Sequence, residues 1–202
     1  MRAEVDFMQN NLTNKRVNTR QIAVIGMLSA ITMVLGSTGL GFIPLPMAKA
    51  TIMHIPVIIG AIIEGPVVGA TIGLIFGLFS IFQNITNPTL LSFAFINPLV
   101  SVLPRILVGI MAYYSYSLFA KRNTTLAVGF GAAIASLTNT FGVLTMIYVL
   151  YAVQFASAKN IDPATTAKVI YGIAMTNGIP EVIVAVLIVT PVAVAIKKVL
   201  NK

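Results

Sequence analysis

Hydrophobic residues follow one another along most of this chain, with neither the two-residue alternation of a half-buried strand nor the single stripe of a soluble amphipathic helix. Apolar stretches recur at lengths near the roughly 20 residues a helix needs to cross the hydrocarbon core of a bilayer, separated by short polar or Gly/Pro-rich breaks. The first stretch covers Arg20 to about Gly36. Ahead of it, the polar, Asn-rich residues 1–19 read as a mobile tail preceding a single membrane domain at 20–199. Behind it, STGLGFIPLPMAKA at 37–50 contains two glycines and two prolines, which forbid a regular helix and suit a shaped cap over a cavity.

The second helix is expected from Thr51 to Ile63, short for a crossing, and Glu64-Gly65-Pro66 is a tight turn into a third helix at Val67 to Gln83. NITNPTLLSF, Asn84 to Phe93, is an uncharged connection. The fourth helix covers Phe95 to Ala120 and stops at Lys121-Arg122. The fifth, Thr125 to about Phe155, is long enough that it must tilt or extend beyond the bilayer. Asp162-Pro163 has the form of a helix start, an N-cap followed by proline at the first position. The last helix then reaches Val199, bent or broken around Gly178 and Pro180. The expected fold class is an all-α integral membrane protein, a six-transmembrane-helix bundle with a cap loop after helix one.

Composition agrees: 57% of residues are hydrophobic and 9% charged, against roughly 25% charged in soluble domains. No small-residue cleavage pattern follows the first apolar run, so that segment is expected to stay as a helix. Cysteine is absent, which leaves no disulfide or thiolate metal site, and a metal would find few other ligands. The net charge of +8 does not point to nucleic acid, because the basic residues sit in short loops and at the termini. Counting them sets the topology. With the N-terminus inside, nine Lys and Arg are cytoplasmic (Arg2, Lys15, Arg16, Arg20, Lys121, Arg122, Lys197, Lys198, Lys202) and three are outside (Lys49, Lys159, Lys168). The positive-inside rule then places both termini in the cytoplasm.

Two small-residue faces stand out. Gly65, Gly69, Gly73 and Gly77 recur every four residues on helix three, a stripe along which another helix backbone can approach closely. Its neighbour could be a helix of this chain or of a partner. Helix one offers Ala23, Gly26 and Ala30.

A charge at the bilayer centre costs about 2.5 to 3.5 kcal/mol on insertion scales, so Arg105 and Glu181 need reasons. Arg105 lies ten residues inward from Phe95 and Glu181 ten inward from Tyr171, about 15 Å from the outer surface at the helical rise. Asn139 sits near the middle of its own helix. Asn97, Ser101 and Arg105 follow i, i+4, i+8 spacing, and Asn177 and Glu181 repeat the i, i+4 pattern. Ser136, Asn139 and Gly142 share a face. A polar cavity between helices four, five and six, open outward, is the economical arrangement.

Two readings of the buried charges stay open. Arg105 and Glu181 could be an ion pair that fixes helix packing. Alternatively, the planar fork of Arg105 holds a carboxylate, with asparagines serving hydroxyl and amide groups. An ion pair at rest that yields to a substrate anion would satisfy both. His54, the single histidine, is either a satisfied interfacial residue or a ligand contact. The tyrosines fall mostly toward helix ends, as an aromatic belt would.

No G-x-x-x-x-G-K-[ST] phosphate loop and no G-x-S-x-G elbow occurs in the sequence, which argues against ATP hydrolysis or serine-nucleophile chemistry in this chain. A self-sufficient carrier commonly shows inverted repeats with broken helices in matching positions. Residues 20–83 and 125–199 show no convincing match of that kind.

The run TIMHIPVIIGAIIEGPVVGATIGLIFGLFSIFQ, the proline-containing cap segment, FINPLVSVLPRILVGIMAYY and SLTNTFGVLTMIY together resemble the substrate-binding S component of energy-coupling factor (ECF) vitamin transporters, most closely the pantothenate-specific members. The resemblance extends from Arg20 to Val199. It implies a subunit that captures a vitamin from outside under its cap and needs no cofactor. Such a subunit associates with a transmembrane T subunit and two ATPase subunits and releases its cargo by reorienting in the membrane. It also implies docking through an Ala-x-x-x-Ala face on helix one. Here that spacing is met by Gly26 and Ala30, with Ala23 adjacent. Among substrates it points to pantothenate, with other water-soluble vitamins as the alternative.

Overall fold

The structure is a computed structural model that describes residues 18–44 and 49–200. Most of the expected N-terminal tail, residues 1–17, and the cap tip at 45–48 lie outside the described residues. Helix α1 runs Thr19–Thr38. Its start is tied by the Asn18 N–H donating to Gln21 Oε1 at 3.1 Å, and it ends on Gly39 in the left-handed conformation, φ 74°, which glycine adopts without strain. The cap that follows is more ordered than a loop. Strand β1 (Phe42–Pro44) pairs antiparallel with β2 (Lys49–Thr51), Phe42 opposite Thr51. This short strand pair is the one addition to the all-α expectation among the described residues.

The second crossing also differs from expectation. Helix α2 is Ile55–Glu64, 10 residues or about 15 Å, half the hydrocarbon thickness. Every residue from Ile55 to Ile62 is buried. Residues 52–54 join α2 directly to β2 of the cap. Glu64 arrives beside the start of α1: Arg20 Nη2 lies 2.6 Å from Glu64 Oε1, and Gln21 Nε2 donates to the Glu64 carbonyl at 3.3 Å. Five described helical segments are long and apolar enough to cross a membrane, and α2 makes the sixth pass inside their wall.

Gly65, φ 103°, turns the chain into α3, Pro66–Thr86. The stretch expected as one helix from Phe95 is divided into α4 (Ser92–Phe95), α5 (Pro98–Ser101) and α6 (Leu103–Phe119). Pro98 and Pro104 lack the N–H that would continue the ladder, and the Asn97 side chain accepts from the Leu99 N–H at 2.9 Å to start α5 afresh. Helix α7 spans Thr124–Lys159 with a kink at Tyr151, φ −138°, ψ 24°. After a 3-10 turn at Pro163–Thr165, N-capped by Asp162, helix α8 runs Thr166–Leu200. Of the expected bend or break near Gly178 and Pro180, the break does not occur, and Pro180 and Pro191 both lie inside one helix. Prolines are tolerated inside membrane helices where neighbouring groups and local adjustment re-satisfy the freed carbonyls.

The glycine stripe is used within the chain. A Cβ at Gly69 would lie 2.9 Å from Ala61 Cα, one at Gly73 would lie 2.7 Å from the Arg105 carbonyl carbon, and one at Gly77 would lie 2.6 Å from Val102 Cα. Helix α3 therefore lies backbone to backbone against α6, in antiparallel sense. Close packing of α7 on both α6 and α8 completes the bundle. Lys197, near the end of α8, sits over the Tyr116 ring at 4.6 Å, so both described chain ends are at one end of the bundle and the cap is at the other.

Candidate ligand cavity

At the cap end, α3, α6, α7 and α8 diverge around a cavity of about 590 Å³, within the range of small-molecule sites. Phe42, Thr51 and Met53 roof it, and Asn87, Leu90 and Leu91 of the α3–α4 connection close one side. Exposed Lys159 stands at the rim.

Arg105 is brought in by the close approach at Gly73. Its side chain is 7% exposed. Nη1 donates to the Val100 carbonyl at 2.6 Å, and the Phe76 and Phe95 rings lie 5.5 and 5.7 Å from the guanidinium carbon, a cation–π setting. Buried Nε has no partner among the described residues. The fork is thus clamped at one corner, with donors left over.

The ion pair between Arg105 and Glu181 is not made. Glu181, 3% exposed, instead accepts from the Thr51 backbone N–H at 2.8 Å on Oε1 and from the Thr140 hydroxyl on Oε2. Asn139 and Asn177 also face the cavity, and the buried Oδ1 of each lacks a partner among the described residues.

Of the residues singled out from sequence, Arg105, Asn139, Asn177 and Glu181 line this cavity, while Asn97, Ser101 and His54 are engaged elsewhere. Asn97 Nδ2 donates to the Tyr151 hydroxyl at 3.0 Å. Ser101 Oγ donates to the Phe95 carbonyl at 2.5 Å. The i, i+8 line from Asn97 to Arg105 presupposed an unbroken helix, and the breaks on either side of α5 rotate Asn97 and Ser101 off the Arg105 face. His54 is fully buried, its Nε2 3.1 Å from Ser136 Oγ.

Sequence reasoning missed the α3 wall: Ser80, Gln83 and Asn84, continued by Asn87. A signal was present, since these polar positions recur at helical spacing at the end of an otherwise apolar segment. Thr140, beside Asn139, was missed too. The cavity therefore combines a cation with spare donors, amide oxygens lacking donors, and apolar surface from Phe76, Val143 and Leu144. That combination suits a small anion that also carries hydroxyl or N–H groups and a hydrocarbon part.

A multi-pass helical bundle with a largely apolar cavity carrying a few polar groups beneath the β1–β2 pair has the form of a membrane ligand-binding protein. Comparison with known sequences gives the narrower class: the model for the ECF transporter, substrate-specific component, matches residues 20–193, and the chain belongs to that family. The family is one of transport components rather than enzymes. The chain is similar to the pantothenic acid transporter PanT of Lactococcus lactis subsp. cremoris, with 33% identity over 172 residues, covering 78% of this chain and 82% of that protein. It is also similar to the pantothenate transporter PanT of Leuconostoc mesenteroides subsp. mesenteroides, with 30% identity over 190 residues, covering 92% of this chain and 93% of that protein.

Proposed function

We propose that this chain is the pantothenate-binding S component of an ECF-type importer, which holds one vitamin molecule in the capped cavity. The observation that carries the reading is Arg105, a buried guanidinium with unused donors facing unpartnered amide oxygens. Pantothenate offers a carboxylate for the guanidinium fork, hydroxyls and an amide N–H for Asn139 and Asn177, and geminal methyls for Phe76, Val143 and Leu144. The names of both relatives point to the same cargo.

In this reading the chain lies in the cell membrane with both termini cytoplasmic and the cap outside. Two features support that orientation: the charge asymmetry of the loops and the location of the cavity opposite the chain ends. The sequence contains no phosphate-binding loop, so ATP hydrolysis falls to two partner ATPase subunits acting through a T subunit. Ala23, Gly26 and Ala30 of α1 are exposed, with nothing among the described residues within 4 Å of a Cβ built on Gly26. They form the docking face, and cargo is released after the loaded subunit reorients in the membrane.

The assignment of Arg105 is tested with a pair of ligands. Arg105→Ala should weaken pantothenate binding about 10- to 100-fold, the loss expected for a charged hydrogen bond. It should have little effect on the analogue in which an alcohol replaces the carboxylate. Equal losses for both ligands would remove Arg105 as the anion anchor.

A further inference from the structure

We propose that Glu181 is a positioning residue that latches the cap to the cavity floor and thereby sets how fast ligand enters and leaves. The kinetic part rests on the pantothenate reading; the latch itself does not. Thr51 is the last residue of β2, where the cap rejoins the bundle, and its N–H donates to Glu181 Oε1 at 2.8 Å across 130 residues of sequence. The other carboxylate oxygen is held by Thr140 of α7. One turn earlier on α7, Ser136 Oγ lies 3.1 Å from His54 Nε2, and His54 is the N-cap of α2. The exit leg of the cap is thus fastened to α7 and α8 at two adjacent points, and Glu181 makes the one nearer the cap.

A latch explains the placement of Glu181 better than ligand contact does. Each of its oxygens already accepts from a protein donor, and a second acid beside an anionic ligand is a poor partner for the ligand's own carboxylate. A buried carboxylate without such donors would be costly to retain. The end of α1, which leads into the cap, is anchored separately, by Gln83 Nε2 donating to the Gly36 carbonyl at 2.8 Å. Of the two fastenings of the exit leg, the Glu181 contact is the one that meets the cap strand itself.

The chain has no cysteine, so spin labels can be placed at Lys49→Cys in β2 and Ile85→Cys on α3 without other changes. In ligand-free protein, Glu181→Ala should broaden the distance distribution between the labels. Glu181→Gln, whose side-chain oxygen can still accept from Thr51, should restore most of the wild-type width. With pantothenate, Glu181→Ala should raise both association and dissociation rates, the latter about tenfold. An unchanged width in Glu181→Ala overturns the latch. A broader distribution with unchanged rates overturns its role in gating. Slower association or weaker binding with an unmoved cap would make Glu181 a ligand contact instead. If Glu181→Ala does not fold, Thr140→Val removes one carboxylate partner at constant shape and should shift width and rates in the same direction. Failure of wild-type protein to bind pantothenate would overturn the cargo assignment while leaving the ligand-free distances to decide the latch.

Discussion

Gly73 and Gly26 are both glycines in membrane helices, yet they do opposite things. At Gly73 the α6 backbone comes so close that a methyl group would overlap the Arg105 carbonyl, whereas a Cβ at Gly26 meets nothing within 4 Å. Gly73→Ala should therefore lower the unfolding midpoint in detergent, consistent with about 1–3 kcal/mol of overpacking, and weaken ligand binding by displacing Arg105. Gly26→Ala should leave both unchanged. Equal effects at the two sites would mean that the close approach does not position the cavity. Sequence alone made Gly73 readable as part of a packing stripe but not its partner, because a stripe of small residues is silent about which backbone it meets. The same limit applies to charge. Arg105, Asn139, Asn177 and Glu181 stand out because polar groups in apolar helices are expensive. That Glu181 binds Thr51 rather than Arg105 depends on where the cap lands, a contact between positions 130 apart.

Among the elements, α1 is the least integrated. One side packs on α2 and α3, while Ile22, Met27 and Val34 remain exposed together with Ala23, Gly26 and Ala30. A Cβ added at Gly26 meets nothing within 4 Å among the described residues. Gly26→Leu or Ala30→Leu should leave pantothenate binding by the isolated subunit unaltered while abolishing uptake by cells carrying the full transporter. Unimpaired uptake would rule this face out as the docking surface. Hydrophobic length made the long helices legible. It failed for α2 and for the start of α6, where the chain stays apolar and only proline and capping geometry mark the breaks. The β1–β2 pair was hidden for a related reason, since its strands are three residues each and too short to show alternation.

For the molecule as a whole, both described chain ends lie at one end of the bundle and the cavity opens at the other. Orientation follows if the Lys and Arg majority is cytoplasmic. A cysteine at Leu40 should then react with a membrane-impermeant maleimide in intact cells, and one at Arg122 only after permeabilisation. The reverse pattern would invert the topology and leave the cavity facing inward. The central claim is that this single chain, without ATP or partners, captures pantothenate. It is tested most directly by isothermal titration of the detergent-purified subunit with pantothenate, and with riboflavin, thiamine, folate and pyridoxine in parallel. The account predicts saturable binding of one pantothenate per chain and no heat of binding from the others. Binding of a different vitamin, or of none, would contradict it.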